Sequence, residues 1–485
     1  MKTWWRLNSA IYGAKKTDEL PNTRMKPSIL LVNPPIYDFS AYDFWLKPYG
    51  MLRVAGFLRR RADLQLFDFM DRFDPRVPEG KYRSDPWGRG QFHAEVTEKP
   101  AVFSNVKRRF KRFGLRRNSF VDFLSHSRHF DYALVQTGMT YWYLGVREVV
   151  EDIRAVSPRT KIILGGVYAT LCAAHARALG ADLVVDGSDL SPLWEFLSMP
   201  PELDQLPLWD LYPRLTTGVL KLADGCPFRC TYCSVPQVYP MFHPRPLERS
   251  LAEAEFLVHA GVENIVFYDD ALLFRPEEII RPFLKELLHK NLGVNFHTPN
   301  ALNARFISRE LAQLLVEAGF KNIYLGFESN AYAWQKKTGG KVYSDELARA
   351  VDHLVEAGAD PTHLHAYIII GHPMADDQQV EKSIGFTNSL GIRVMLSEFS
   401  PIPGTPEGEL CGHRVNLNEP LCHNKTAYTI QSLGAATANR LKQLARELNK
   451  SFNSLDNKDE VKIETRAGFP KNLSRHHASR QGTFS

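Results

Sequence analysis

The sequence predicts an α/β protein in which a doubly wound parallel sheet is followed by a partial barrel of six βα units. Short apolar runs alternate with helical segments along most of the chain. A Leu-Val-x-Ala-Gly pattern also closes three successive helices, at residues 257–261, 315–319 and 354–358. Strands that alternate with helices build parallel sheets covered on both faces. At 485 residues, the chain is also too long for one compact core.

The N-terminal part is predicted to be a doubly wound, Rossmann-like domain over residues 26–198. An irregular arm at 1–25 precedes it, and residues from about 71 to 125 form an insertion rich in Arg, Pro, Gly and Asp. The predicted strands are 28–33, 64–68, 132–135, 161–166 and 181–185, with helices near 49–61, 144–156 and 168–179. Ligands of such sheets bind beyond the carboxyl ends of the strands, where Gly165 and Gly166 would lie.

A proline-rich linker at 199–214 is predicted to lead into the partial barrel over residues 215–410. The six predicted barrel strands begin at residues 219, 264, 294, 322, 363 and 393, a spacing that leaves room for one helix in each gap. Right-handed crossovers place every carboxyl end at one rim. The remainder, 411–485, is predicted to hold one helix at 439–448 and a poorly ordered tail.

Composition excludes several classes of protein. No run approaches the roughly 18 apolar residues of a membrane span, and the N-terminus lacks a signal-peptide pattern, so we expect a cytoplasmic protein without a membrane partner. The net charge of +6 is too weak to indicate a nucleic-acid partner. A basic segment at 107–117, with Phe110 and Phe113 between its charges, could grip phosphates, but we favour a solvated surface.

Cysteine spacing is the most informative feature. Cys226, Cys230 and Cys233 follow the first barrel strand within one loop. Three thiolates on such a loop can converge on one metal centre, and a four-iron cluster held by three of them keeps one iron open to a substrate atom. A zinc site completed by His243 is the alternative, although structural zinc ligands usually come as two separated pairs.

The loop Cys-x3-Cys-x2-Cys at the first strand of a partial barrel resembles that of the radical S-adenosylmethionine (SAM) superfamily. The resemblance implies that Cys226, Cys230 and Cys233 bind a [4Fe–4S] cluster whose open iron chelates SAM. Reductive cleavage of SAM would then yield a 5′-deoxyadenosyl radical. Tyr232 matches an aromatic residue that often lies against the adenine, with ordinary packing as the alternative.

The other strand ends are similar to the cobalamin-associated branch of this family, with Asp269 and Asp270 in place of the Gly-Gly-Glu of other members. By the same resemblance, further residues are expected to contact SAM: Asn300, Glu328, Ser329, Gly371 and Pro373. An N-terminal acidic cap of a helix is the alternative role for each of the two aspartates.

The N-terminal domain resembles, more weakly, the cobalamin-binding domain that precedes the barrel in many family members. Gly165 and Gly166 would then adjoin the cobalamin. The Asp-x-His-x-x-Gly pattern that supplies an axial histidine is absent, so retention of the fold without the cofactor stays open. The remaining cysteines, Cys172, Cys411 and Cys422, are too few for a second cluster.

The sequence therefore favours a radical SAM enzyme that acts on an unidentified small molecule, with cobalamin-assisted methyl transfer or a related rearrangement as the leading hypothesis. An electron donor such as flavodoxin or ferredoxin is expected as a partner. One competing hypothesis keeps the radical chemistry without cobalamin. The other is a zinc-stabilised protein that binds nucleic acid through its basic segment.

Overall fold

The computed structural model describes residues 26–452 and 461–464. The predicted irregular arm at 1–25 lies outside these residues, as does most of the tail predicted to be poorly ordered. No helix within the described part of the chain has the length and apolar character needed to cross a bilayer.

A five-stranded parallel sheet forms the centre of the N-terminal part, as predicted. Its strands are β1 (Ser28–Asn33), β3 (Asp63–Asp68), β7 (Tyr132–Thr137), β8 (Lys161–Gly166) and β9 (Leu183–Val185), in the order β3-β1-β7-β8-β9. Its helices are α1 (Tyr49–Leu58), α3 (Tyr143–Val156), α4 (Val167–Leu171), α5 (Ala173–Arg177) and α6 (Ser191–Leu197). Every residue of β1 is buried, which is the pattern of a central strand covered on both faces.

The region predicted as an insertion is folded against this sheet. It contains β4 (Lys81–Ser84), β5 (Ala94–Val96), β6 (Lys111–Phe113) and α2 (Arg117–His126). Together with β2 (Ile36–Asp38), strands β5 and β6 form an antiparallel sheet in the order β2-β6-β5. Strand β19 (Val461–Glu464), from the far end of the chain, pairs with β4.

The second parallel sheet is the predicted partial barrel, with the order β10-β13-β14-β16-β17-β18. These strands are β10 (Thr217–Leu220), β13 (Asn264–Phe267), β14 (Asn295–His297), β16 (Phe320–Glu328), β17 (Leu364–Ile370) and β18 (Arg393–Glu398). The main helices between them are α8 (Leu247–His259), α9 (Ile280–His289), α10 (Arg309–Glu317), α12 (Ser344–Glu356) and α13 (Asp377–Ser389). Four shorter elements lie beside the barrel: β11 (Ala223–Asp224), α7 (Val235–Val238), β12 (His243–Pro244) and β15 (Leu302–Asn303).

The repeated Leu-Val-x-Ala-Gly pattern ends three of these helices. Gly261, Gly319 and Gly358 have φ values of +86°, +95° and +95°, the left-handed conformation typical of a helix stop. At Gly319 a Cβ would also lie 2.6 Å from the carbonyl oxygen of Val294. The pattern therefore marks the positions where a helix ends and the chain turns back into the next strand.

The C-terminal region contains more helix than predicted. Helices α11 (Tyr332–Lys337) and α14 (Pro406–Cys411) flank the barrel rim, and α15 (Lys425–Leu433) and α16 (Ala435–Asn449) follow. The helix predicted at 439–448 thus begins at Ala435. Helix α15 was missed because its sequence has no regular apolar face, and its Thr426 and Thr429 are buried by contacts with other parts of the chain.

The two parallel sheets are joined by buried contacts. The indole of Trp45 stacks on the imidazole of His297, with ring centroids 4.6 Å apart. Arg89 donates a hydrogen bond of 2.8 Å to the hydroxyl of Tyr324. In the predicted linker, Trp209 and Tyr212 are 1% and 7% exposed. The N-terminal part therefore packs against residues of the barrel strands through stacked rings and hydrogen bonds.

Candidate metal centre

The cysteine loop leaves the barrel directly after β11. Gly225 has φ +80°, and a Cβ there would lie 2.4 Å from the carbonyl oxygen of Met241, so that only glycine permits this turn. Cys226, Cys230 and Cys233 are all free thiols and all half-buried. The structure therefore brings the three predicted ligands together on one loop at the rim.

A second loop packs against the cysteines. The backbone N–H of Thr231 donates to the carbonyl oxygen of Thr338 over 3.3 Å. Gly339, at φ +115°, lies so close that a Cβ would be 3.1 Å from Cys230 Cα. This contact brings Lys341 to the cysteines, although it is more than one hundred residues further along the chain.

The thiols and Lys341 are the main ionisable groups at the site, and they affect one another's pKa. Burial raises the pKa of each thiol, and burial together with the neighbouring thiols raises that of Cys233 to about 11. Burial opposes the charge on Lys341, but Glu328 and the thiols outweigh it and raise the pKa of the lysine. Metal binding would deprotonate the thiols, and Lys341 would stabilise the resulting negative charge.

The cysteine loop has two candidate metals, a [4Fe–4S] cluster and a single zinc ion. Within the described residues, no three His, Cys, Asp or Glu side chains converge closely enough to hold one metal ion. Thiolates of a [4Fe–4S] cluster bind different irons, so they need not meet at one point. His243, the fourth ligand of the zinc hypothesis, is exposed in β12, where it pairs with Asp224.

The two predicted aspartates have different surroundings. Asp269 is buried, and its carboxylate accepts from the backbone N–H groups of Leu222 (2.9 Å) and Ala223 (2.7 Å). Burial raises the pKa of Asp269 to about 7. Asp270 is half-buried, lies 3.7 Å from Lys221 Nζ and contributes to the raised pKa of Cys226. Asp269 therefore fastens the start of the cysteine loop, and Asp270 is the member of the pair that faces the thiols.

Glu328 occupies a strained position at the end of β16. Its φ is +74°, and the pairing of β16 with β17 shifts register between Gly326 and Glu328. A non-glycine residue held there costs about 1–3 kcal/mol, and such strain is often found at functional sites. The Glu328 carboxylate lies 3.7 Å from Lys341 Nζ. Ser329, by contrast, is buried and accepts from the Ala331 backbone N–H over 3.2 Å.

The remaining predicted SAM residues lie around this rim with contacts of their own. Asn300 is exposed and donates to the carbonyl oxygen of Tyr268 over 2.9 Å. At Gly371, φ is +77° and a Cβ would lie 2.6 Å from Thr429 Oγ1, so the glycine is required by contact with α15. Pro373 is half-buried. The role of all three toward SAM stays a prediction.

Tyr232 lies within an aromatic cluster beside the cysteine loop. Its ring stacks on that of Trp334 with centroids 6.0 Å apart, and its hydroxyl bonds to the Cys230 thiol. The structure thus places Tyr232 beside the cysteine loop, and its contact with the adenine of SAM stays a prediction.

Sequence reasoning missed Lys341, Thr231 and Glu407, which is buried behind the loop together with His372. Lys341 belongs to no strand end, and Glu407 follows the last barrel strand, where no periodic pattern pointed to the cysteines. Only the Gly-Gly dipeptide before Lys341 gave a local signal, because adjacent glycines indicate a tight turn.

Gly165 and Gly166 lie at the carboxyl edge of the first sheet, as predicted. Gly166 is exposed, with φ +118°, and a Cβ there would lie 2.4 Å from the carbonyl oxygen of Thr137. Thr137 Oγ1 also bonds Gly165 O (3.1 Å) and the backbone N–H of Ala169 (3.0 Å). The conformation of the Gly-Gly turn is therefore explained by its packing on β7. Helix α4, which follows this turn, contacts α7, which follows the cysteine loop.

The basic segment at 107–117 is largely paired within the protein. Arg112 in β6 is buried and forms an ion pair of 2.6 Å with the buried Glu148. Arg117 pairs with Asp152, also at 2.6 Å. The segment is thus mainly a folded strand and helix start, which weakens its interpretation as a nucleic-acid surface.

Comparison with known proteins gives a family match for part of the chain and several distant relatives. Residues 220–387 match the model of the Radical SAM superfamily. An uncharacterised methyltransferase of Pyrococcus horikoshii is 26% identical, over 52% of this chain and 55% of the relative. A threonylcarbamoyladenosine tRNA methylthiotransferase of Thermotoga maritima is 24% identical, over 55% of this chain and 65% of the relative. The chain thus spans about half to two thirds of the length of these relatives.

Two solved structures share the order of the two domains. TsrM of Kitasatospora setae, a radical SAM methyltransferase solved with cobalamin and a [4Fe–4S] cluster, has a TM-score of 0.62 at 15% identity, over 87% of this chain and 91% of that one. The cobalamin-dependent radical SAM enzyme OxsB has a TM-score of 0.53 at 14% identity, over 87% of this chain and 61% of that one.

The barrel with three cysteines on the loop after its first strand is the part of the chain that matches the Radical SAM superfamily. More particularly, the chain shares its fold with TsrM and OxsB.

Proposed function

We propose that this protein is a radical SAM enzyme that transfers a methyl group to a small molecule, with a [4Fe–4S] cluster at Cys226, Cys230 and Cys233. The observation that carries the proposal is the meeting of three free, half-buried thiols with Lys341 at the barrel rim. A cluster held there would supply the electron that cleaves the sulfonium bond of SAM.

The residues around the loop match the charged ends of SAM. Lys341 would donate to the carboxylate of the methionyl group, and Asp270 and Glu328 would accept from its ammonium group. Burial raises the pKa of both Asp270 and Glu328, so an incoming cation would favour their ionised form. These three side chains would therefore orient SAM toward the open iron.

Cobalamin is the second part of the proposal. The carboxyl edge of the first sheet is open at Gly166, next to the 48% exposed side chain of Met139. Contact between α4 and α7 brings this edge near the cysteine loop. Bound cobalamin would act there as a methyl carrier, and the chain would contact it without an axial histidine from the Asp-x-His-x-x-Gly pattern. Methyl transfer is supported by the methyltransferases among the similar proteins.

Radical chemistry without cobalamin is the second candidate, and a specific observation favours it. Internal packing already explains the Gly-Gly turn, and the end of β1 is closed by a hydrogen bond of 2.7 Å between Asn33 and Asp68. Cobalt analysis after anaerobic reconstitution with cobalamin separates the two candidates. Bound cobalt near one per chain supports methyl transfer through cobalamin, and cobalt near zero contradicts it.

The central experiment is anaerobic reconstitution with iron and sulfide, followed by incubation with SAM and dithionite. We expect a [4Fe–4S] spectrum that changes on addition of SAM, together with formation of 5′-deoxyadenosine or demethylated SAM. Cys230→Ala should abolish both. The matched control is Cys422→Ala, because Cys422 is a half-buried cysteine outside the loop. A wild-type protein without a cluster, or one whose spectrum ignores SAM, would contradict the proposal.

A further inference from the structure

A chain of buried hydrogen bonds fastens the middle of the cysteine loop. Thr231 lies between Cys230 and Cys233, and its hydroxyl donates to the carboxyl group of Glu407 in α14. The Thr231 carbonyl accepts from the Glu407 backbone N–H over 3.5 Å, and the Thr231 N–H is bonded to Thr338. All three polar groups of this threonine are therefore used to hold the loop between two neighbouring segments.

Glu407 and His372 are almost completely buried, at 2% and 1% exposure. His372 Nε2 lies 3.9 Å from Glu407 Oε1, which is too long for a direct hydrogen bond. Among the described residues, neither Glu407 Oε2 nor His372 Nε2 has a hydrogen-bond partner. Two unsatisfied polar atoms thus lie on facing side chains behind the loop.

The other nitrogen of His372 determines which tautomer is present. Nδ1 accepts from the indole N–H of Trp334 (3.3 Å) and from the backbone N–H of Met374 (3.2 Å). The proton of the neutral imidazole must then be on Nε2, the atom nearest Glu407. Burial lowers the pKa of His372 to about 4, which keeps the ring neutral at pH 7. A donor therefore faces an acceptor in this pair.

The surroundings of the pair are aromatic. Tyr232, Trp334 and Phe399 place their ring centroids 6.2, 5.0 and 5.1 Å from that of His372. Leaving a polar group unsatisfied in such surroundings is destabilising. Apolar residues would pack there at lower cost, so the retention of two polar side chains points to a task in the adjoining loop.

We propose that Glu407 and His372 are positioning residues for the metal-binding loop. Glu407 holds Thr231 and thereby the spacing of Cys230 and Cys233, while the Nε2–H of His372, 3.9 Å from Glu407 Oε1, favours this orientation of the carboxyl group electrostatically and without a direct hydrogen bond. The inference rests on the proposed function, since it takes a [4Fe–4S] cluster as the ligand of this loop. Groups that orient metal ligands from behind usually change metal affinity about 10–100-fold when they are removed, and they also change reduction potential.

The test compares reconstituted protein variants by two measurements: the rate at which a chelator removes iron, and the midpoint potential followed by electron paramagnetic resonance. Thr231→Val and Glu407→Ala should release iron about 10-fold faster than wild type and shift the potential. Glu407→Gln keeps an acceptor for Thr231 and should lie close to wild type. His372→Leu should show a smaller effect, which His372→Gln, with a donor in a similar place, should partly reverse.

The control is Tyr428→Phe. Tyr428 belongs to the same buried cluster, and its hydroxyl contacts Cys411 Sγ at 2.9 Å rather than Thr231. This control should match wild type in both measurements. Equal iron release and potential in Thr231→Val, Glu407→Ala and the control would overturn the positioning role alone. A wild-type protein that takes up no cluster would overturn the proposed function as well, so the two failures are distinguishable.

Discussion

The carboxyl edges of the two parallel sheets differ in how their polar groups are used. In the first sheet, Asp68 at the end of β3 accepts from Asn33 (2.7 Å) and from the Tyr212 hydroxyl (2.6 Å). At the barrel rim, three thiols and the strained Glu328 surround Lys341 without such closure. Both sheets have the parallel topology that places ligands at this edge, yet the β1–β3 end of the first sheet is closed by its own polar groups, whereas the rim gathers thiols, a lysine and a carboxylate.

This difference shows that the parallel topology identifies the edge of the sheet where a ligand can bind. Whether the polar side chains at that edge already hydrogen-bond to one another decides if the site is closed or available. The β1–β3 end of the first sheet is closed by a hydrogen bond between its own residues, and the part near β8 is where we propose that cobalamin binds. At the rim, polar groups that pack the loop, such as Asp269, are next to groups that face the thiols, such as Asp270.

The largest expected effect is on stability, and it tests whether the buried charges of the N-terminal part stabilise the folded protein. Arg112→Met should lower the free energy of unfolding by about 3–5 kcal/mol, because it leaves Glu148 buried without its cation. Arg109 is exposed in the same basic segment, and Arg109→Met should change the free energy of unfolding by less than about 0.5 kcal/mol. Chemical denaturation measures both. Equal, small effects would mean that the pair is not structural and would reopen the phosphate-binding interpretation.

A second prediction concerns the Gly-Gly turn. Gly166→Ala should destabilise the protein by about 1–3 kcal/mol, because φ is +118° and the new Cβ meets the Thr137 carbonyl. Gly165→Ala is the matched control, since its Cβ would meet only Val185 at 3.9 Å, an ordinary contact. Thermal unfolding without cobalamin measures the difference. If Gly166→Ala unfolds like wild type, packing does not explain the glycine, and a ligand role becomes the better account.

A third prediction concerns Lys341 at the barrel rim. Lys341→Met should weaken SAM binding about 10-fold, because it removes a charge-assisted hydrogen bond while cluster assembly is retained. Lys336→Met is the control, since Lys336 is exposed in α11 nearby. Titration of the cluster spectrum with SAM gives both affinities. Unchanged affinity in Lys341→Met would show that the lysine serves only the thiolates.

The smallest expected effect lies at the opposite, amino edge of the first sheet. Partial burial raises the pKa of Asp182, but hydrogen bonds from Arg154 and the Ile162 backbone N–H outweigh it and lower the pKa to about 2. The stabilisation is therefore complete above about pH 4 and is lost as pH falls through 2. Asp182→Asn should cost at most about 1 kcal/mol at pH 7, because the group is near the surface. A cost that persists at pH 2 would contradict this ionic origin.

The sequence was sufficient to predict the fold class and to identify Cys226, Cys230 and Cys233 as candidate metal ligands. Strand and helix periods, the glycine stops and the spacing of the thiols are local features, and the two parallel sheets agree with the predicted fold class. The sequence was insufficient to predict all of the C-terminal helices. The buried face of α15 includes Thr426 and Thr429, which are not apolar and so do not contribute to a helical pattern of apolar residues.

Local spacing alone determined which residues form the cysteine loop, because a run of eight residues can bring thiols together without help from distant segments. Tertiary structure decided what surrounds that loop. Lys341, Glu407 and His372 come from segments more than one hundred residues away, and only the closure of the barrel brings them to it. Contacts between distant segments leave no period in a sequence, since each depends on how whole strands and helices pack.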